Sequence, residues 1–155
     1  MAIRLHRMGM SKRKPPTIGK LRVKLWRILS RYIRVKYSSD GVNVPCYTCG
    51  NNTVIGTSDS QGGHYWAKGG YEALRFDERN IRNQCYRCNE IREGETQIFG
   101  MNLLKEIGQE ELDDMFNMRK DVCKRSRAWY LEKIDEYKTK LYELENLHGV
   151  DHYKI

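Results

Sequence analysis

A chain of 155 residues, 39% of them hydrophobic, can bury one modest core, and no apolar run in it approaches the length of a membrane span. The formal net charge of +8 is unevenly spread: residues 1–40 carry twelve Lys or Arg against one acid, a net of +11, so the other 115 residues carry −3. The basic start is not followed by the apolar segment of a secretory signal, and five cysteines, an odd number, argue against a secreted disulfide framework, so a soluble cytosolic protein is expected.

In chain order, residues 1–16 are basic (Lys12, Arg13 and Lys14 precede Pro15 and Pro16) and lack helical periodicity, which reads as a flexible arm. Residues 17–40 read as a basic amphipathic helix with Thr17 as N-cap. Leu21, Leu25, Ile28, Leu29 and Tyr32 recur at helical spacing, while Lys20, Lys24, Arg27, Arg31 and Arg34 lie on the other side. One face would pack and the other meet phosphate, since basic groups that displace counterions give sequence-independent affinity for nucleic acid. A solvated tail, an RNA-binding surface or a helix lying on a membrane are the competing readings of the same charge.

Residues 41–100 hold two Cys-x-x-Cys pairs, Cys46 with Cys49 and Cys85 with Cys88, separated by 35 residues. Each pair closes a tight knuckle offering two thiolates at about 2.3 Å, so together they suit one tetrahedral structural zinc; disulfides or a redox-active pair are the alternatives. A short strand is expected over 51–57, His64 stands at the end of a hairpin, and residues 85–92 read as the start of a helix carrying Asn89. Residues 101–155 form a helical extension: short helices over 101–107 and 109–118 broken at Gly108, then a long helix over 122–147. In that helix Cys123, Arg127, Tyr130, Ile134, Tyr137, Leu141 and Leu144 alternate four and three apart, a stripe that fits either a dimer seam or packing within the chain.

A zinc-bound hairpin bearing a histidine and facing a helix that bears an asparagine resembles the His-Asn-His nucleases, with their ββα-metal or treble-clef fold. His64, Asn80 and Asn89 fall at the three positions of that motif. The runs Gly63-His64-Tyr65, Leu74-Arg75-Phe76-Asp77-Glu78-Arg79-Asn80-Ile81 and Gln84-Cys85 through Cys88-Asn89 are similar to the NinG/Rap family of lambdoid phage recombination nucleases. Asn89 directly after the zinc cysteine also resembles phage endonuclease VII. The resemblance implies an α+β protein: a small treble-clef module with an N-terminal basic helix and a C-terminal helical extension. It implies a metal-dependent endodeoxyribonuclease acting on branched DNA, Holliday junctions and D-loops, in the host cytoplasm. A zinc-stabilised DNA-binding accessory protein without cleavage activity is the alternative.

On that reading His64 is the general base, because a neutral imidazole can take a proton from an attacking water. Asn80 holds the loop and orients His64, and cleavage leaves 5′-phosphate and 3′-hydroxyl ends. Four thiolates fill the zinc tetrahedron, so a second ion, Mg²⁺ or Mn²⁺, needs oxygen ligands, of which Asn89 is the first. Many nucleases of this fold place an aspartate immediately before the histidine, where this chain has Gly63. Asp59, on the same hairpin, is the first candidate to replace it, ahead of Gln61 and Glu78. Arg75 and Arg79 join the helix cations as candidate phosphate contacts, or else pair with Asp77 and Glu78. Because a four-way junction is two-fold symmetric, a homodimer is expected.

Overall fold

The computed structural model describes residues 14–153, so Lys12, Arg13 and most of the expected arm lie outside the described residues. Helix α1 (Ile18–Lys36) opens on Thr17, whose Oγ1 accepts the Lys20 amide at 3.3 Å. Its stripe of Leu21, Leu25, Ile28, Leu29 and Ile33 is buried. Two antiparallel hairpins follow. Strand β1 (Asn43–Pro45) pairs with β2 (Asn52–Val54), with Val44 opposite Thr53, and the first Cys pair sits in the turn between them. Strand β3 (Ser60–His64) pairs with β4 (Ile81–Cys85), from Ser60 opposite Cys85 to His64 opposite Ile81.

All five residues of β4 are buried, although three of them are polar or charged. Each of those three must therefore find internal partners. Asn83 ties the two hairpins together: its Nδ2 donates to the Pro45 carbonyl at 3.0 Å and to Thr53 Oγ1 at 3.1 Å, and its carbonyl accepts the Tyr47 amide at 2.8 Å. Arg82 donates through Nη2 and Nε to Glu106 at 2.8 and 3.1 Å and lies between the rings of Tyr37 and Tyr47.

After β4 the chain makes a π-helical turn (Arg87–Ile91), closed by the Arg92 amide on the Arg87 carbonyl at 2.9 Å. Helix α2 (Thr96–Met118) starts earlier than its sequence pattern suggests, and Gly108, at φ 83°, breaks it where expected. Helix α3 (Arg127–His148) begins later than expected. Ser126 caps it, its Oγ accepting the Trp129 amide at 3.1 Å, so Val122 and Cys123 lie in an irregular connection and not on the helical stripe. The architecture is thus mixed α and β: helices around two small sheets.

The stripe of α3 is covered within the chain. Tyr130, Ile134, Tyr137 and Leu141 are buried in one cluster with Leu25, Ile28, Leu29 and Ile33 of α1, with Phe76 and Ile81 completing it. Within this chain those four side chains pack against its own α1. No helix among the described residues is long and apolar enough to cross a membrane. Truncating Leu141 to Ala should cost about 2–5 kcal/mol, as for other buried leucines. Urea denaturation should show that loss with a midpoint independent of protein concentration; a concentration-dependent midpoint would put the stripe back in an intermolecular seam.

Candidate functional site

The Sγ atoms of Cys46, Cys49, Cys85 and Cys88 all lie within 4.8 Å of one another, and Cys49 Sγ is 3.8 Å from Cys85 Sγ. A tetrahedron with bonds of about 2.3 Å has edges of about 3.8 Å, so the quartet is dimensioned for one ion such as zinc. The thiols are free; burial pushes those of Cys49, Cys85 and Cys88 up, while for Cys46 burial is outweighed by hydrogen bonds from Thr48 and nearby amides, which lower the thiol to about 6, so a cation would displace protons chiefly from the other three. Among the described residues this is the only group of three or more Cys, His, Asp or Glu ligand atoms near enough to hold an ion.

His64 closes β3 and is stacked on Trp26 of α1, with ring centroids 4.6 Å apart. Its Nε2 lies 2.9 Å from the Arg75 carbonyl. A carbonyl only accepts, so Nε2 carries the proton and Nδ1 of the neutral ring keeps its lone pair. Burial first, then the charges of Lys68 and Arg75, lower its pKa to about 4 against the pull of that hydrogen bond. The ring is therefore neutral at pH 7 and able to accept a proton at Nδ1.

Asn80 is fully buried and holds the segment after His64 against the one that carries Arg75. Its Oδ1 accepts the Trp66 amide at 2.7 Å, and its Nδ2 donates to the Trp66 and Leu74 carbonyls, both at 3.0 Å. Asn80 thereby holds the Leu74 carbonyl, one residue before the Arg75 carbonyl that meets the imidazole.

Asn89 lines the same cleft as His64, of about 320 Å³, together with Lys68, Glu90 and Glu93. Its Nδ2 donates to Gln61 Oε1 at 2.7 Å and to Glu90 Oε1 at 3.1 Å. An adjoining cleft of about 250 Å³ shares Lys68, Asn89 and Glu90 and adds Arg34, Ser30 and Gln61. Asp59 lines neither: its carboxylate accepts the Tyr86 amide at 3.0 Å and caps the turn after β4. Glu78 is likewise elsewhere, bonded to Lys36 and to Tyr137. Of the oxygens expected from sequence beside Asn89, only Gln61 is at the clefts. Sequence reasoning missed Trp26, Lys68, Glu90 and Glu93; only Glu90, adjacent to Asn89, carried a local signal.

The family model described as the bacteriophage lambda NinG protein matches residues 6–147. The chain belongs to the NinG family. It is 28% identical over 132 residues to the ninG proteins of Escherichia phage lambda and Escherichia phage 933W, with 76% of this chain and 63% and 64% of those proteins aligned. The ninG protein of Enterobacteria phage H19B is 36% identical over 73 residues, 47% of this chain and 35% of that protein. The chain thus spans less than two thirds of the length of these relatives. No solved structure matches it.

The cations that the sequence offers to phosphate in this NinG chain divide into three sets. Arg31 donates to the buried Glu145 of α3 at 2.8 Å, Arg75 to Glu72 at 2.7 Å, and Arg79 to Asp77, Glu111 and Asp114 at 2.6–2.7 Å. These three, expected to meet phosphate, are engaged by carboxylates within the chain. Lys20, Lys24 and Arg27 form no ion pair among the described residues, and Lys14 is exposed. Arg34 is different again. It donates to the Ser30 and Ser60 carbonyls at 2.9 and 2.6 Å, has no carboxylate partner among the described residues, and burial lowers its pKa to about 10.

Two measurements check this geometry. Metal analysis should find one zinc per chain, lost with the cooperative fold in Cys88→Ser. Imidazole ¹⁵N spectra should show His64 as the neutral Nε2–H tautomer at pH 7, titrating near pH 4 and not near 6.5. Because that pKa is depressed relative to the unfolded chain, the contribution of His64 to stability is complete above pH 6.5 and is lost as pH falls toward 4. Wild type should therefore lose stability relative to His64→Asn across that window.

Proposed function

We propose that this chain is a structure-selective, divalent-metal-dependent endodeoxyribonuclease of the His-Asn-His, treble-clef type that acts on branched recombination intermediates. The observation that carries the reading is the state of His64: neutral, with Nε2 committed to the Arg75 carbonyl, one residue on from the Leu74 carbonyl that Asn80 holds, and with Nδ1 unbonded among the described residues in a ring that lines the cleft shared with Asn89. Such a nitrogen can take the proton of an attacking water. The zinc quartet supports the same reading as scaffold, since Cys88 directly precedes Asn89 in the turn it anchors. A bound Mg²⁺ or Mn²⁺ would neutralise the phosphate and the leaving 3′ oxygen. The chain's own part is to orient that cation through Asn89, to hold the phosphodiester through Lys68 and Arg34, and to grip the flanking duplex through Lys14, Lys20, Lys24 and Arg27.

One observation favours the second reading, a DNA-binding accessory protein of recombination that does not cut. Position 63 is glycine, and the carboxylates near the cleft do not form a cluster of ligand atoms as the cysteines do. A synthetic four-way junction incubated with Mg²⁺, Mn²⁺ or EDTA, beside a linear duplex of the same sequence, separates the two. Paired nicks near the branch point that need both metal and His64 are expected, with His64→Ala slowing cleavage by at least about 10²-fold while junction binding and zinc content stay unchanged. Binding without cleavage in any metal would leave the accessory reading. Two coordinated cuts call for a homodimer, to be sought by light scattering on the junction complex.

A further inference from the structure

Helix α1 lies along β3 with its side chains in step with the strand. Trp26 stacks on His64, Ser30 meets Gly62, where an added Cβ would lie 2.6 Å from Ser30 Oγ, and Arg34 donates to the Ser60 carbonyl at 2.6 Å. Positions 26, 30 and 34 form one row of the helix, and positions 64, 62 and 60 share one face of the strand. The row spans about 12 Å, eight residues at about 1.5 Å each. His64 lines the first cleft and Ser30 and Arg34 line the second, while Lys68, its Nζ 5.6 Å above the Trp26 ring, borders both.

The second cleft, of about 250 Å³, holds donors without acceptors. A guanidinium has five N–H groups, and Arg34 uses Nε on the Ser30 carbonyl and Nη1 on that of Ser60; the others have no acceptor among the described residues. Those carbonyls orient the guanidinium but bring no counter-charge. Ser30 is 6% exposed, yet its Oγ makes no hydrogen bond among the described residues, even to the carbonyl one turn back that a helical serine commonly takes. A hydroxyl so enclosed is expected to have a partner. The one acid lining this cleft is Glu90, which is exposed and bonded to Asn89 Nδ2 at 3.1 Å, against two cations, Arg34 and Lys68. N–H and O–H donors around a net positive charge suit an oxyanion.

We propose that the second cleft is a phosphate subsite of its own, in which the Arg34 guanidinium and the Ser30 hydroxyl hold a backbone phosphate of the DNA strand that neighbours the phosphate facing His64. The inference rests on the nuclease reading for the presence of that strand. One strand rises about 3.4 Å per nucleotide, so a row of about 12 Å covers more than one nucleotide, and the phosphate at Arg34 is not the one to be cut. By holding a neighbour on one side only, Ser30 and Arg34 set the direction in which the strand crosses His64.

The test is four-way-junction binding by the zinc-loaded full chain, read by fluorescence anisotropy over a range of KCl without added divalent ion, with zinc content and melting temperature measured on the same samples. Arg34→Gln should weaken binding roughly tenfold and lower the salt slope by about 0.9, the share of one phosphate. Ser30→Ala, which removes only a hydroxyl, should weaken it about threefold, and Glu90→Gln should tighten it. Junctions with one neutral methylphosphonate at successive positions locate the phosphate. At one position, beside the cut bond, neutralisation should weaken wild type about tenfold and leave Arg34→Gln indifferent. If Arg34 only holds α1 to β3, its variant loses melting temperature but keeps the wild-type methylphosphonate profile, and the proposal is overturned. Unchanged affinity and salt slope in both Arg34→Gln and Ser30→Ala, or an Arg34-dependent position at the cut bond itself, overturns it too. So does an Arg34 Nε–H resonance that inorganic phosphate shifts and the junction does not, which would make the cleft a free-phosphate site. Metal-dependent junction cleavage with no such contact would sink this inference and spare the nuclease reading. An Arg34-dependent phosphate contact with no cleavage of any branched DNA would do the reverse.

Discussion

The hairpins and the turn that border the clefts are tied together by the convergence of four thiols. Cys46 and Cys49 sit in the turn between β1 and β2, Cys85 ends β4, and Cys88 lies inside the π-helical turn, so an ion at their centre fixes the first hairpin, the second hairpin and the turn relative to one another. Hydrophobic burial alone would hold this region weakly. The β1–β2 hairpin has three residues a strand, and the cluster of buried apolar residues around α1 and α3 does not include the cysteines. The strand most dependent on that anchor is β4, whose polar residues are all buried and all satisfied from surrounding elements except at Gln84 Oε1. Losing the ion would leave Asn83 and the Arg82–Glu106 pair with partners no longer held in place, and unpartnered buried polar groups are costly.

Features encoded locally were legible in the sequence. Thr17 as N-cap, Gly108 as helix breaker, the stripe of α1 and the two Cys-x-x-Cys knuckles each depend on residues within a few positions of one another, and each is found where its pattern puts it. The start of α3 was misread because the four-and-three alternation runs back through Arg127 to Cys123, whereas the capping hydroxyl of Ser126 decides the boundary. Long-range partners could not be read. Trp26 and His64 are 38 positions apart in sequence and meet only because α1 lies across β3, which glycine at 62 permits. Of the acids that engage Arg79, Asp77 was among the partners its sequence offered, but Glu111 and Asp114 come from α2, more than thirty residues away, and no periodicity announces them.

The basic helix illustrates how a charge pattern overstates a binding surface. Its cations repeat on one side of α1, yet Arg31 reaches the buried Glu145 and Arg34 turns toward the carbonyls of Ser30 and Ser60. What remains toward solvent is Lys20, Lys24 and Arg27, in the N-terminal half of the helix, with Lys14 exposed before it. Among the described residues, unpaired basic charge therefore lies along the N-terminal half of α1 and is continued into the clefts by Lys68 and Arg34.

The depressed pKa of His64 has a consequence for the nuclease reading. An imidazole that titrates near 4 is always unprotonated at neutral pH, but it is also a weak base, and base strength is what proton abstraction from water requires. Two of the causes are the charges of Lys68 and Arg75. A phosphodiester drawn in by Lys68 brings a negative charge into the same cleft, which offsets those cations and favours the protonated ring. Substrate binding would then raise the basicity of Nδ1 at the point where a proton has to be taken, while the Nε2 bond to the Arg75 carbonyl, unchanged, keeps the ring in the tautomer that can take it. Burial, the largest cause, works the other way, and Trp26, stacked on the ring, contributes to it. The stacking that orients the imidazole and the basicity it needs are thus in opposition, and the balance between them is set by how much anionic charge the cleft admits.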